Sequence, residues 1–407
     1  MQCHALAGLM PVLLAVPGAA APGSVVTEAD VLSRLNATSP AVVSQSLDRP
    51  LAEAAVLAAR RVDNPVLALG REDPDGGTEQ TEWSLSWQLP RAARTLEIAA
   101  ATSAVDAATA RVEDRLRSLR GTVRRDFARW AVASRRAASR AASVDRLDSL
   151  TTRERLRATQ GETSGLAVRR LELAASALRA RRALAVADEE QARGAVRGWW
   201  PELPADARPG LPALPQPPRL DVDSSHPRID AARADVEVAE LTRRASRRVV
   251  DSPELTVGWQ RQESFSDSFT GPVLGLAWSV PLFDRRRAER AAAQARLDAA
   301  RADAEMAVRT IDARRARAST HYSDLVREAA AARSVLTADA STLDAAEASF
   351  RYGELALTDL LEIERSIRDA RLAWLDLHAA ALAAHRELEA LAPSNPVSPH
   401  PSTPDED

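Results

Sequence analysis

The sequence predicts a mainly α protein with a small β part, organised as two tandem repeats that each set two short strands before a long helical hairpin. Three observations carry this reading. The first is a set of anchors that recur in the same order at an offset of roughly 190 residues, as duplicated units of fixed element length do. Asn64-Pro65-Val-Leu-Ala-Leu-Gly70 matches Ser252-Pro253-Glu-Leu-Thr-Val-Gly258, and Ser84-Leu-Ser-Trp87-Gln-Leu-Pro90 matches Gly275-Leu-Ala-Trp278-Ser-Val-Pro281. Gly161-Glu162 with Glu172 matches Gly353-Glu354 with Glu364. The second is the run 91–158, which contains no proline and only Gly121 as a glycine. The third is apolar alternation in the short segments that precede each long run.

Taken in chain order, residues 1–21 read as a secretory signal peptide: an apolar stretch from Leu9 to Val16 is followed by small residues ending at Ala21. The only cysteine, Cys3, would leave with it, so the mature chain is expected to carry no disulfide. The first repeat is expected over 25–200. An Ala-rich helix over 44–63 stops before Asn64-Pro65, because proline disfavours helix at the preceding residue. Strands follow near 65–70 and 81–89, joined by the polar loop 71–78. The hairpin 91–197 begins with a helix of roughly 100 Å at 1.5 Å per residue, turns at Gly161 to Gly165 and returns to about Arg197.

The segment 201–223 holds a cluster of prolines and is a linker without regular helix or central strand. The second repeat is expected over 224–392, with a helix at 225–250, strands at 253–262 and 271–280, and a hairpin over 282–391 that turns at Gly353. The tail 393–407 is rich in Pro, Ser and acids and is expected to be disordered. Heptad rows are clearest in the second hairpin. Val308, Tyr322, Ala329, Leu336, Leu343 and Phe350 form one row broken by Arg315. Ile311, Ala318, Leu325, Ala332 and Ala346 form another broken by Asp339. The return helix offers Leu360, Ile367, Trp374, Ala381 and Leu388 beside Ile363, Ala370, Leu377, Ala384 and Leu391. Paired rows at seven-residue spacing specify coiled-coil packing of the hairpin arms.

The strands have two different faces. Trp83, Leu85, Trp87 and Leu89 alternate with Ser84, Ser86 and Gln88, and Leu274, Leu276, Trp278 and Val280 alternate with Gly275, Ala277 and Ser279. One face suits lipid and the other a water-filled lumen. Trp83, Trp87, Trp259 and Trp278 fit an interfacial aromatic girdle. The alternative is a half-buried strand of a soluble sheet. No stretch is long and apolar enough for a membrane-spanning helix, so any span is made by strands. Four strands do not close a barrel, and an open edge in lipid is forbidden, so copies must share one: two, three or four would give roughly 8, 12 or 16 strands.

Composition excludes several chemistries. All 54 basic residues are arginine, which removes phosphate-loop and Schiff-base lysine mechanisms. A net charge of −3 gives nucleic acid no electrostatic footing. His226, His321, His378, His385 and His400 are dispersed and expected at the surface, without metal-ligand spacing. No nucleophile elbow or zinc-helix motif occurs. The chain is read as no enzyme, with no metal and no cofactor.

The segments SLSWQLP, GLAWSVPLFDRRR and SFRYGELALTDLLEIERSIRDARLAWLDLHAAALAAHRELEAL resemble the outer membrane efflux protein family, the TolC-like channels, with a tone closer to the metal-efflux (CzcC-like) branch. The resemblance covers roughly 25–392. It implies a homotrimer sharing one 12-stranded barrel in the outer membrane of a Gram-negative bacterium, with a periplasmic α-helical tunnel and an equatorial belt that includes the linker. It also implies the function of a passive exit duct, with a periplasmic adaptor (membrane fusion protein), an inner membrane RND or ABC pump and outer membrane lipid as partners.

Aligned on Gly353, the family's acidic pore positions fall on Asp359 and Glu362, where facing carboxylates would narrow and select the exit. At the equivalent sites of the first hairpin stand Ala167 and Arg170, and Arg170 is a candidate partner of Glu362 in a closed state. A basic residue that locks some members closed would fall at Leu355, so that lock is absent. The turns around Gly161, Glu162, Gly353 and Glu354 are the expected adaptor-docking tips. The competing class is a periplasmic adaptor or structural coiled-coil protein with a soluble β-domain.

Overall fold

A computed structural model describes residues 25–73, 79–217, 225–248, 252–263, 267–279, 286–337 and 339–393. The expected signal peptide, the end of the linker from 218, the Pro-Leu-Phe segment 281–283 and the tail from 394 lie outside the described residues. In chain order the elements are β1 (Val25–Val26), α1 (Glu28–Leu32), α2 (Pro40–Ser46), α3 (Asp48–Arg60), β2 (Val66–Glu72), β3 (Glu79–Gln88), α4 (Arg94–Thr159) and α5 (Gly165–Trp199). There follow β4 (Arg208–Pro209), α6 (Pro227–Ser246), β5 (Glu254–Glu263), β6 (Ser268–Ala277), α7 (Arg287–Leu336), α8 (Asp339–Arg351) and α9 (Leu357–Ala390).

The chain divides into two compact units, and α4 and α9 contribute to both. One comprises 1–34, 123–213 and 336–375; the other comprises 35–122, 214–335 and 376–407.

In the first unit the ends of four helices share one core. Val144, Leu147 and Leu150 of α4, Leu171, Ala175 and Leu178 of α5, Ala346 of α8 and Leu360 of α9 are buried together, with Phe350 and Ile363 packed against them. The same unit holds an aromatic belt. Trp130 meets Phe127 edge-on with ring centroids 6.0 Å apart, the Trp199 indole donates to Asp126 at 2.8 Å, and the Arg34 guanidinium lies 4.5 Å over the Trp200 ring. Such contacts join large apolar area to a polar handle.

The structure adds two features to the sequence reading. The linker contains strand β4, paired in parallel with β1 through Val25 to Arg208 and Val26 to Pro209. Pro209 fits because the pairing is only two residues long, and Gly210 supplies the N–H to the Val26 carbonyl at 2.9 Å. Ahead of it, α1 starts on a capping box in which Thr27 and Asp30 exchange hydrogen bonds. The second long helix is also interrupted: α7 ends at Leu336 and α8 begins at Asp339.

The second unit contains an antiparallel sheet of order β2-β3-β5-β6. Its register sorts the side chains into rows. Leu67, Leu85, Val257 and Leu274 lie side by side, as do Leu69, Trp83, Trp259 and Pro272. Trp87, Leu255 and Leu276 form a third apolar row on the same face. The opposite face carries Val66, Ser86, Thr256 and Gly275, then Ala68, Ser84, Gly258 and Val273. A side chain at Gly258 would put its Cβ 2.6 Å from the Trp83 carbonyl, so this central strand position requires glycine. The helical part of this unit packs Ile229, Ile311, Ala318, Tyr322, Ala381, Ala384, Leu388 and Leu391 into a single core.

Candidate functional site

Both hairpin turns of the first unit are built the same way. Gly161 and Gly353 each adopt φ of 79°, a left-handed conformation in which only glycine escapes a Cβ penalty. Glu162 N–H bonds the Arg157 carbonyl at 2.9 Å and Gly161 N–H the Ala158 carbonyl at 3.1 Å. Glu354 to Ser349 and Gly353 to Phe350 repeat these bonds at 2.9 and 3.1 Å. This is the Schellman pattern, which satisfies the last carbonyls of a helix and reverses the chain. All four turn residues are exposed.

Charges flank the turns in a network. Arg153, Glu154, Arg157, Glu162, Glu347 and Arg351 line a cleft of about 210 Å3. Glu154 is buried and pairs with Arg157 at 3.1 Å, and this hydrogen bond raises the Arg157 pKa. Arg146 lies 3.3 Å from Glu347. The Glu172 carboxyl accepts from Arg155 at 2.7 Å and from Arg169 at 3.1 Å, and these two guanidinium groups hold its pKa below the ordinary carboxylate value. Its counterpart Glu364 is buried with Arg368 at 2.9 Å.

The two acidic positions singled out in the sequence, Asp359 and Glu362, are both exposed near the start of α9. Arg170 is exposed on α5, and it makes no ion pair with Glu362 among the described residues. Leu355 is partly buried against the four-helix core, as an apolar residue rather than a lock.

The four strand-region tryptophans, Trp83, Trp87, Trp259 and Trp278, are all exposed. Trp83 sits directly opposite Trp259 in the register, and the Trp87 indole donates to the Asp63 carbonyl at 3.2 Å. Leu67, Leu69, Leu274 and Leu276 are exposed beside them. A soluble sheet would bury such a continuous apolar face against another layer.

The histidines correct the surface expectation. His321 is exposed, but His226, His378 and His385 are buried. His226 is the N-cap of α6: its Nδ1 accepts from the Arg228 N–H at 3.1 Å, and its Nε2 lies 2.9 Å from the Ala390 carbonyl. A carbonyl only accepts, so the ring is the neutral tautomer with its proton on Nε2. Burial pushes its pKa down. Arg315, the break in the heptad row, is equally accounted for: its Nε donates to the Leu391 carbonyl at 3.0 Å. Arg117 adds bonds to the carbonyls of Ala392 and of Pro393, the latter at 3.2 Å. Three elements thus clasp the C-terminal end of α9, where free carbonyls and the helix dipole favour donors and cations. Tyr322 donates likewise to the Pro215 carbonyl, and His385 Nε2 lies 3.3 Å from that of Gln216. No group of His, Cys, Asp and Glu among the described residues has the arrangement to hold a metal.

Among curated proteins the sequence has no significant match. The family profile described as outer membrane efflux protein matches residues 221–392. Three solved structures illustrate the likeness in fold. The outer membrane protein VceC from Vibrio cholerae superposes with a TM-score of 0.75 at 16% identity, covering 90% of this chain and 96% of that one. The open state of the MtrE outer membrane channel from Neisseria gonorrhoeae gives 0.74 at 18%, with 90% and 89% covered. A membrane protein from Pseudomonas aeruginosa gives 0.73 at 19%, with 90% of each chain covered. The match to the outer membrane efflux protein profile spans the second repeat, and the likeness to these solved structures is one of fold, with the exposed aromatic face of the sheet and the paired helical hairpins in keeping with both.

Proposed function

We propose that the protein is the outer membrane exit duct of a tripartite efflux or secretion system, passively conducting substrate that an inner membrane pump delivers through a periplasmic adaptor. The observation that carries this reading is the four-stranded sheet, whose one face is exposed, apolar and aromatic and whose outer strands β2 and β6 both end the sheet. Backbone edges left open in lipid cost several kcal/mol per group, so the sheet must be completed by further copies. Three copies of a two-repeat chain, 25–200 and 224–392, would give the 12 strands implied by the resemblance, with Trp83, Trp87, Trp259 and Trp278 at the membrane interface.

In this arrangement the hairpin ends form the periplasmic mouth. Asp359 and Glu362 recur around the axis as acidic rings, where carboxylates repel one another and attract cations. The turns at Gly161, Glu162, Gly353 and Glu354 are the docking tips for the adaptor. A passive duct needs no catalytic group, which suits a chain without a catalytic motif.

The test is extraction of the full chain from outer membrane fractions in mild detergent, followed by its native mass. A species near three times the mature chain, after subtraction of detergent, is expected. A monomer recovered from the soluble periplasm would overturn the duct and promote a soluble coiled-coil protein.

A further inference from the structure

The outward face of the sheet changes chemistry at the end remote from the helices. One row beyond the Trp83–Trp259 pair, the register sets Arg71, Thr81, Arg261 and Thr270 side by side. All four are exposed. They project to the same side as the tryptophans, because each stands two residues along its strand from Leu69, Trp83, Trp259 or Pro272. Arg71 and Arg261 are two strands apart, roughly 10 Å at the usual interstrand spacing.

The height of this row is set by the apolar band. From Trp83 on β3 to Leu89 just past its end, and from Pro272 on β6, two strands away, to Trp278 just past its end, the outward apolar positions cover six residue steps. That is about 20 Å along the strand, or about 15 Å across the membrane at a tilt near 40°. A barrel's apolar belt is about 25 Å tall. A slab of that height centred on the band has its outer surface about 12 Å from the centre, and the Arg row, one further pair of residues out, falls at the same level. The guanidinium groups therefore sit where acyl chains end and headgroups begin.

We infer that Arg71 and Arg261, with the Thr81 and Thr270 hydroxyls between and beside them, form a binding row for the phosphate groups of the anionic glycolipid headgroups that face the outer surface. The inference rests on the reading of this sheet as membrane-embedded. Charge complementarity selects the occupant: the row itself carries two guanidinium groups, two hydroxyls able to donate and no carboxylate, and a guanidinium matches phosphate oxygens with two parallel N–H bonds. Each arginine has one acidic neighbour, Arg71 with Glu79 at 2.7 Å and Arg261 with Glu263. One carboxylate uses part of a five-donor fork and orients the remainder towards solvent. Glu79 and Glu263 stand opposite one another one row further out, so the acids lie beyond the headgroup level and the cations at it.

The test uses the full chain in mild detergent, freed of co-purified lipid and titrated with mixed micelles that contain either diphosphorylated lipid A or the same lipid with both phosphates removed. The wild type is expected to bind the phosphorylated form on the order of 10- to 30-fold more tightly, the effect of two arginines near a charged interface. R71Q/R261Q should lose that preference, and R71K/R261K, which keeps the charges without the forks, should retain a part of it. Equal affinity of the wild type for both lipids, or an unchanged preference in R71Q/R261Q, overturns the phosphate row even though the protein still requires detergent. Recovery without detergent would instead overturn the membrane reading, and the phosphate row with it.

Discussion

Replacing His226 tests whether the clasp at the end of α9 holds this part of the fold. His226→Ala removes the side-chain cap of α6, worth about 1 kcal/mol, and takes the Nε2 donor from the Ala390 carbonyl, worth about another 1 kcal/mol. The sum, about 2 kcal/mol, corresponds to a roughly 30-fold loss in protection of the local amides against hydrogen exchange. His226→Asn restores the cap but is too short to reach Ala390, so it should recover about half of the loss in free energy. The pH dependence follows from the tautomer. A second proton must go on Nδ1, which accepts from the Arg228 N–H. Burial is the largest influence against the charge, the Ala390 carbonyl and Asp114 favour it, and Arg117 and Arg315 oppose it, with the net effect downward. The folded-state pKa lies below the ordinary 6.5, so the unfolded chain binds the proton more readily. This stabilisation is therefore complete above about pH 6.5 and is lost as pH falls through the lower folded-state value. Exchange protection of the first turn of α6 and the last turn of α9, followed from pH 7.5 to 5.0, should fall in the wild type and stay flatter in His226→Asn. Protection in His226→Ala within a factor of 3 of wild type at pH 7.5 would refute the argument.

Two further substitutions probe the hairpin ends. Gly353→Ala should lower stability of the turn by about 1 kcal/mol, the cost of placing a Cβ at positive φ; no atom lies within 4 Å of the added carbon, so an unchanged exchange rate at Glu354 would show that the turn relaxes freely. Glu364→Gln, which breaks a buried pair with Arg368, should cost about 3 kcal/mol by denaturant unfolding in detergent, and Glu172→Gln, at the solvent-facing counterpart, distinctly less; equal losses would contradict the difference in burial.

The parts of the fold that were legible in the sequence are those written in periodicity. Alternation over β3 and β6 gave the faces, because a one-residue slip would turn every tryptophan to the other side. The paired Gly-Glu turns were legible because a left-handed helix stop requires a residue type that stands out in an Ala- and Arg-rich run. The pairing of β3 with β5 was not, since alternation marks faces and not neighbours. For the same reason the Arg71–Arg261 row emerges only once the strand order is known. Strands β1 and β4 are two residues long and carry no period. Burial of His226 and Arg315 was hidden because their partners are backbone carbonyls at the far end of α9, which no side-chain pattern announces. Arg315 did appear as an anomaly in a heptad row, and a charged residue in such a seam signals an unseen acceptor.

The two hairpins share turn geometry but differ in the charges behind the turn, and the difference bears on gating. Where the second carries Asp359 and Glu362, the first carries Ala167 and Arg170. In the proposed trimeric duct each carboxylate would recur three times instead of six, which would limit repulsion and interleave arginines with acids around the mouth. Arg170 and Glu362 do not pair within the chain among the described residues, so in the proposed duct their attraction acts between copies and closes the ring. Single-channel conductance in planar bilayers separates this from a purely electrostatic acidic ring. Arg170→Glu and Glu362→Arg should each raise the open fraction, and the double charge swap should return it towards the wild type, because opposite charges again face each other. If the double variant instead shows the sum of the single effects, the two side chains act independently and Glu362 serves selectivity alone.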